Sequence, residues 1–429
     1  ELATEDQAIF APAPGSSGSV SDTTTLTLTS TQALDSPVYI YNEFARMKID
    51  GQVLGVIELF DDGTHGDAVA GDLIYSRAGV GFEEASGYSY CDSFTSALLL
   101  LGRLSGDEAG IVALPDSQPL IGVSDDYLAV PEVGVGSQWT DHAVNLVMDT
   151  EALEGANWIP AVTERFYAEF ADRYDFLYLF PDWVFSIGAA FMTVVHNDVE
   201  GIGLEAIDRR SEFGSDGPLQ GIVASRYSST PPLLHETMHR WGNYLNPPFR
   251  GCCHWLYSSV DGQLGGFEPG TLVDNQDGTY SVQGLATLGY SDDTLPYAPL
   301  ELYLAGLLSI DSVPAIDIAV NAQPAGAFGT FTADEILQID GDDLIDQFGP
   351  RTPDFASSQK NFKGAFVGIS SEPLNQATMT FLDRLSQGFS GTAFGCSTTL
   401  DFNEATGGVG SMETLIERVT VFEDRFEDE

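Results

Sequence analysis

The sequence predicts an α+β protein, in which an all-β sandwich precedes a larger domain that combines a mixed twisted sheet with helices. Short apolar or alternating runs, separated by turns, occupy residues 31–120. From Gly122 onward, strand-like apolar runs alternate with segments of helical spacing. Because 43% of the 429 residues are hydrophobic, the chain can bury a core in each of two domains.

Residues 1–120 are predicted to form a leader followed by a β-sandwich. Residues 1–30 are rich in small and polar residues, which favours a flexible leader with room for one edge strand. Residues 31–120 predict a β-sandwich, and roughly ninety residues is a usual size for that fold. Its clearest strand candidates are residues 38–41, 53–60 and 73–76.

Residues 61–75 include an Asp- and Gly-rich turn. The segment resembles a turn motif of immunoglobulin-like domains in bacterial surface and secreted proteins. Its aspartates make calcium a candidate cofactor, although their spacing differs from that of an EF-hand loop. Tight turns also demand Asp and Gly, so a structural role is the favoured interpretation and calcium stays an alternative.

Residues 121–416 are predicted to form the mixed sheet and its helices. Residues 417–429 are predicted to be an acidic tail. The strand candidates are residues 143–148, 176–180, 191–195 and 222–227, and residues 162–170 have helical spacing. A second helix is predicted after residues 228–230, whose hydroxyls can cap it, with Pro231 or Pro232 in its first turn. The prolines of Asn246-Pro247-Pro248 are expected to end it.

This second helix contains His235, Glu236 and His239 in an HExxH pattern. Two histidines at i and i+4 project from one helix face about 6 Å apart, so their imidazole nitrogens can bind one tetrahedral zinc ion. Glu236 lies beside them and can act as general base on a water whose pKa zinc lowers to roughly 7. The pattern therefore predicts a zinc hydrolase with Glu236 as a catalytic residue.

A catalytic zinc normally has three protein ligands, so a third is expected beyond the helix. Leu245 stands where a metzincin has its third ligand, which excludes that pattern. His254 is the favoured candidate, because it follows the helix closely and lies beside cysteines that can hold its loop. Glu301, at the start of a proline-initiated helix, is the rival, either as a ligand or as a contact to a zinc histidine. Tyr297 and Tyr290 are candidates to donate a hydrogen bond to the oxyanion.

Several segments between Gly122 and Leu415 resemble one group of proteins. They are residues 235–242, 254–255, 265–266, 274–280, 297–307, 362–367 and 405–410. In these segments the chain is similar to a poorly characterised group of secreted bacterial HExxH zinc metalloprotease-like proteins, or zincins. The resemblance implies a zincin-like catalytic domain preceded by an immunoglobulin-like domain. Ala305 replaces a methionine that is frequent in the group, which puts any support of the metal by that side chain in doubt.

Charge and cysteine content restrict the partners and the compartment. With 64 acidic and 17 basic residues, the net charge of −47 repels phosphate backbones and anionic lipid, which argues against nucleic acid and membrane partners. No apolar run reaches the ~18–20 residues that span a bilayer. The polar start at Glu1 fits a mature secreted chain, although a trimmed chain would look the same. Two disulfides are expected, with the pairing open, among Cys91, Cys252, Cys253 and Cys396.

The combined prediction is a secreted, extracellular bacterial zinc endopeptidase that acts on protein or peptide substrates. Hydrolysis would use a zinc-activated water with Glu236 as general base. The substrate is expected to pair its backbone with an exposed edge strand of the sheet. Two alternatives remain open: a catalytically lapsed zincin that serves as an extracellular binding or adhesion module, and a zinc hydrolase of a non-peptide amide.

Overall fold

The described residues form a mixed α+β structure with several sheets and few helices, which confirms the predicted class at this level. The computed structural model describes residues 8–11, 24–30, 33–42, 46–49, 52–54, 56–83, 98–104, 110–112, 121–123, 131–153, 157–182, 190–225, 232–242, 244–249, 254–289, 293–374, 376–392 and 399–419. The four cysteines and Tyr290 lie outside these residues.

Two five-stranded sheets make up the first part of the chain. The first has the order β1-β2-β7-β4-β5 and contains β1 (Ala8–Ala11), β2 (Thr24–Ser30), β4 (Arg46–Ile49), β5 (Gln52–Leu54) and β7 (Ile74–Glu83). The second has the order β6-β3-β8-β10-β9 and contains β3 (Leu34–Asn42), β6 (Val56–Leu59), β8 (Leu98–Leu104), β9 (Gly110–Val112) and β10 (Ile121–Val123).

Strands lie at both ends of this β-rich part of the chain. Strand β2 lies within residues 1–30, where the sequence allows an edge strand, and it pairs with both β1 and β7. Alternation of Thr and Leu along β2 is typical of a half-buried strand, and it outweighs the small-residue composition around it. At the other end, β10 pairs with β8 and β9, so residues 121–123 belong to the second sheet.

An eight-stranded sheet forms the framework of the second part of the chain. Its order is β11-β12-β13-β25-β14-β18-β15, and β26 pairs with the start of β25. The strands are β11 (Glu132–Gly134), β12 (Ser137–Trp139), β13 (Ala143–Val147), β14 (Phe176–Pro181), β15 (Ala190–Val194), β18 (Gly221–Ser225), β25 (Asn361–Ser370) and β26 (Ser411–Glu413). The four central strands are parallel, whereas β15 runs antiparallel to β18 at one edge.

Strand β14, at the centre of this sheet, is an uninterrupted run of buried, mostly apolar residues. Phe176, Tyr178 and Phe180 face one core cluster, and Leu177 and Leu179 face another. Because successive side chains of a strand point to opposite faces, a strand covered on both faces loses its polar alternation. The run predicted from the sequence at 176–180 is therefore a buried central strand.

The described residues also contain seven α-helices and three small sheets. The helices are α1 (Thr150–Leu153), α2 (Trp158–Tyr167), α3 (Leu233–Met238), α4 (Pro299–Leu304), α5 (Gly341–Phe348), α6 (Gln376–Ser390) and α7 (Phe402–Ala405). The small sheets contain β16 (His196–Asn197) with β17 (Ile207–Asp208); β19 (Val273–Asp274), β20 (Tyr280–Ser281), β22 (Gln323–Pro324) and β23 (Thr330–Thr332); and β21 (Ile316–Val320) with β24 (Glu335–Ile339). None of the helices in the described ranges is long and apolar enough to cross a membrane.

The helix that carries the HExxH pattern is shorter than predicted. It begins at Leu233 and ends at Met238, rather than at the prolines after Asn246. Beyond Met238 the chain winds more tightly, and the N–H groups of residues 239–241 donate to carbonyls three residues earlier. At Gly242 an added Cβ would lie 2.5 Å from Leu264 Cδ1, so the chain is densely packed just beyond the helix.

Candidate metal centre

Three imidazoles converge at the C-terminal end of α3. The Nε2 atom of His235 lies 3.2 Å from that of His239 and 3.1 Å from that of His254. Zinc–nitrogen bonds of about 2.0–2.1 Å in a tetrahedron separate two ligand nitrogens by about 3.3 Å. The spacing and the nitrogen donors of the three side chains therefore fit one zinc ion.

His235 has a defined tautomer in this arrangement. Its Nδ1 lies 2.8 Å from the carbonyl oxygen of Gln263, and only a protonated Nδ1 can donate to that oxygen. The Nε2 atom then carries a lone pair directed at the other two rings. A carbonyl in this position commonly orients a metal-binding histidine.

The surroundings keep the other two imidazoles neutral. Burial, together with the neighbouring His235 and His254, lowers the pKa of His239 to about 2. Burial likewise lowers the pKa of His254. Neutral imidazole is the form that binds a metal, so protons compete weakly for these nitrogens.

Glu236 is buried next to the first of these histidines. Its side chain is 6% exposed, and burial followed by the charge of Asp293 raises its pKa to about 8. A nearby dication acts in the opposite direction, since it favours the carboxylate over the neutral acid. The ionisation state of Glu236 should therefore depend on whether a cation binds beside it.

Helix α3 is held in place by side chains that are far away in the sequence. Asp293, 3% exposed, accepts hydrogen bonds from the N–H groups of Leu233 at 2.8 Å and Leu234 at 3.0 Å. Asp293 thus caps the start of α3, and residues 228–230, which the sequence predicts as caps, lie outside the described residues. On the sheet side, Thr237 Oγ1 lies 3.0 Å from Tyr178 Oη of β14.

The predicted rival ligand, Glu301, does not join the three imidazoles. It is fully buried on α4. Its two carboxylate oxygens accept four hydrogen bonds, from the indole N–H of Trp255 and the backbone N–H groups of Gln263, Leu264 and Ala298. The group of candidate metal ligands at this place contains His254 instead.

Tyr297 is buried against the helix backbone. Its hydroxyl donates a 2.9 Å hydrogen bond to the carbonyl oxygen of Leu234 in α3. A tyrosine has a single hydroxyl proton, so the predicted oxyanion role would require this bond to break. In this structure the residue connects the start of α4 to helix α3.

A glycine-rich loop lies directly on the His235 ring. A Cβ added to Gly289 would lie 2.7 Å from His235 Cε1 and 2.3 Å from the Gln263 carbonyl oxygen. Gly289 also has φ of +81°, which favours glycine. The loop can approach the imidazole this closely only because the residue has no side chain.

The candidate calcium ligands lie together in the turn of the first part of the chain. Carboxylate oxygens of Asp61, Asp67 and Asp72 are within 4.8 Å of one another. The same carboxylates accept backbone N–H groups of the turn, such as Gly63 N–H to Asp67 at 2.6 Å and Gly71 N–H to Asp61 at 2.7 Å. Those bonds are what a tight Asp-Gly turn requires, and calcium binding here stays a prediction.

Sequence reasoning did not identify two residues that shape the site. Asp293 lies 60 positions from Leu233, and Gln263 acts through a backbone carbonyl that any residue possesses. The sequence offers only a local signal for each residue. Asp293 lies shortly before a proline-initiated helix, and Gln263 lies in a segment that ends in Gly265-Gly266.

No protein-family model, curated protein or solved structure matches this chain. The resemblance to HExxH zinc metalloprotease-like proteins therefore stays a prediction. What the described residues provide is a set of three imidazole nitrogens with a buried carboxyl beside it. Zinc-assisted hydrolysis requires a set of this kind, with three ligands for the metal and one group that can accept a proton.

Proposed function

We propose that this chain is a secreted zinc-dependent endopeptidase. One observation carries the proposal: the Nε2 atoms of His239 and His254 both lie within 3.2 Å of His235 Nε2, with Glu236 next in sequence to His235. Three histidines leave one position of a tetrahedral zinc open, which is typical of catalytic rather than structural zinc sites. Extracellular location rests on the sequence features alone.

His235, His239 and His254 would hold the metal, and each would do so as neutral imidazole. When bound, zinc supplies Lewis acidity and lowers the pKa of water. Glu236 would accept a proton from the attacking water at its carboxylate and pass it to the leaving amine nitrogen. Its burial favours this task, because a carboxylate with a raised pKa is a better proton acceptor.

The architecture supports a zincin-like arrangement for the second part of the chain. Helix α3 packs with Leu233, Leu234 and Met238 in the core on one face of a mixed sheet. The chain reaches α3 directly from β18, beside the antiparallel strand β15. We likewise propose that the two five-stranded sheets form an immunoglobulin-like domain, which the Asp-Gly turn favours.

Strand β15 is the proposed guide for the substrate. In the described residues it is hydrogen-bonded to β18 and lies last in the strand order of the eight-stranded sheet. Residues 190–194 are all half-buried. An extended peptide could add to this edge and run past the end of α3.

Zinc content and peptide cleavage, measured together, test the proposal. We expect purified wild type to contain one zinc per chain and to cleave members of an unlabelled peptide library read by mass spectrometry. Glu236→Gln should retain zinc and lose about 10²–10⁴-fold in kcat. His254→Ala should lose zinc, whereas His142→Ala, a histidine outside the cluster, should retain both zinc and activity.

The outcomes separate the alternatives. Wild type that holds zinc but cleaves no peptide would favour a binding module or a hydrolase of another amide. Wild type that holds no zinc at neutral pH would refute the proposal. Equal zinc content in wild type and His254→Ala would show that the three-histidine assignment is wrong.

A further inference from the structure

Glu301 is a buried carboxylate near the three imidazoles whose two oxygens are both fully engaged. Its relative exposure is 0%. Oε1 accepts from Trp255 Nε1 at 2.9 Å and from Leu264 N at 2.8 Å. Oε2 accepts from Gln263 N at 3.0 Å and from Ala298 N at 3.0 Å. Hydrogen bonds to a charged acceptor are stronger than neutral ones, so four of them fix their donors firmly.

Two of these donors belong to residues that adjoin a proposed metal ligand. Gln263 is hydrogen-bonded to one, and Trp255 follows another in the chain. Gln263 donates its N–H to Glu301, and its carbonyl oxygen accepts from His235 Nδ1 at 2.8 Å. Trp255 directly follows His254 in the chain, and its backbone N–H donates to Leu264 O at 2.8 Å. The carboxylate thus fixes the peptide that orients His235 and the indole beside His254.

Capping of its own helix does not account for this arrangement. The capping interaction of α4 uses only the Ala298 N–H. The other three donors come from residues 255–264, a segment that contains no described helix or strand. This segment fits closely against the carboxylate, because a Cβ added to Gly262 would lie 2.2 Å from Oε2.

We infer that Glu301 is a positioning residue that sets the metal affinity of the site by fixing His235 and His254. The inference rests on the proposed function, since it assumes that the three imidazoles bind zinc. Loss of the carboxylate would leave buried N–H groups without an acceptor, and the segment 255–264 would shift to satisfy them. Both ligands would then lose their common alignment.

Zinc affinity of Glu301→Gln, measured by competition with a chelator, tests the inference. The amide keeps the size of the side chain but replaces one acceptor by an NH₂ group that faces N–H donors. We expect zinc binding to weaken about 10–100-fold, as for other residues that hold metal ligands in place. The d–d absorption of the cobalt-substituted protein should change as well, because the ligand geometry changes.

Asp175→Asn is the matched control. Asp175 is also buried, and it accepts hydrogen bonds from Gln220, Gln359 and the Lys363 N–H, none of which contacts the three imidazoles in the described structure. This variant should lose stability in urea yet keep the zinc affinity and the cobalt spectrum of wild type. A purely structural role for Glu301 would make the two variants behave alike.

Trp255→Phe covers the case in which Glu301→Gln does not fold. It removes a single donor to Oε1, and it should weaken zinc binding by a smaller factor while the fold is kept. Wild-type zinc affinity in folded Glu301→Gln, or in Trp255→Phe if the first variant is unfolded, would overturn the inference and leave the proposed function standing. Wild type without zinc affinity would overturn both.

Discussion

At the scale of single residues, Gly289 meets two separate constraints. Its φ of +81° is unfavourable for any residue with a side chain, and an added Cβ would lie only 2.7 Å from His235 Cε1. A residue with a Cβ would have to strain its backbone and displace the imidazole at the same time. The second constraint links this position to the proposed zinc site.

We expect Gly289→Ala to lower both stability and zinc affinity. The backbone strain should cost about 1–2 kcal/mol, and displacement of His235 should weaken zinc binding further. Gly278→Ala is the control, since Gly278 has φ of +88° but nothing within 4 Å of an added Cβ. Urea unfolding and chelator competition would be measured for both. Equal zinc affinity in the two variants would contradict a contact role for Gly289.

Asp293 is the second such residue, because it contacts the start of α3 although it lies about 60 positions away in the sequence. Its carboxylate binds two N–H groups at the first turn of α3, which have no acceptor within the helix. Negative charge at that end also complements the helix dipole. The residue therefore stabilises the helix that carries His235 and ends directly before His239.

Asp293→Ala is expected to cost about 1–2 kcal/mol in the free energy of unfolding and to reduce zinc affinity. Asp340→Ala provides the comparison, because Asp340 caps the exposed helix α5 through the N–H groups of Asp342 and Asp343. That variant should show a similar loss of stability with unchanged zinc binding. If both variants left zinc affinity intact, the cap would not contribute to the site.

At the scale of elements, α3 is too short to be stable alone. It has six residues, far below the ~12–15 at which isolated helices become even marginally stable. Its stability must come from the core beneath it and from three polar contacts: Asp293 at its start, Tyr297 on the Leu234 carbonyl, and Tyr178 on Thr237. The sheet thus positions the two helical histidines.

A double-mutant cycle on Thr237 and Tyr178 measures the contact between helix and sheet. Thr237→Val leaves the buried Tyr178 hydroxyl without this partner, and we expect a cost of about 1–3 kcal/mol. Addition of Tyr178→Phe should cost less than it does in the wild type, because the unsatisfied group is then removed. Urea unfolding of the four proteins gives the coupling energy. Strictly additive costs would mean that the two hydroxyls do not interact.

At the scale of the whole molecule, the charge of −47 opposes compaction. Carboxylates outnumber basic groups by 64 to 17, so most of the acid groups have no cationic partner. The few ion pairs in the described residues lie at the surface, where each contributes little. Self-repulsion should therefore be visible in how stability depends on salt.

Sodium chloride is expected to stabilise the protein at neutral pH. Raising it from about 0.01 M to 0.5 M shortens the screening length from about 30 Å to a few Å. The unfolding temperature in calorimetry should rise by at least about 2 °C, which corresponds to roughly 1 kcal/mol for large domains. Near pH 4, where many carboxylates are protonated, the rise should be smaller. An equal rise at both pH values would rule out screening of carboxylate repulsion.

The sequence by itself determined the features that depend on local periodicity. The i, i+4 spacing of His235 and His239 predicts ring nitrogens on one side of a turn, and the structure brings their Nε2 atoms to 3.2 Å. The continuous apolar run of β14 and the antiparallel strand at β15 were also predictable as strands. Such features involve neighbours along the chain, whose relative positions follow from backbone geometry.

Only the tertiary structure decided which distant residues complete the site. His254 and Glu301 were both open as third ligand, and packing places the first beside His235 while it surrounds the second with four N–H donors. The end of α3 at Met238 was likewise missed, and the chain just beyond it packs closely against Leu264, a residue distant in sequence. These outcomes depend on how segments separated by tens of residues share one dense core, and hydrophobic periodicity contains no information about that contact.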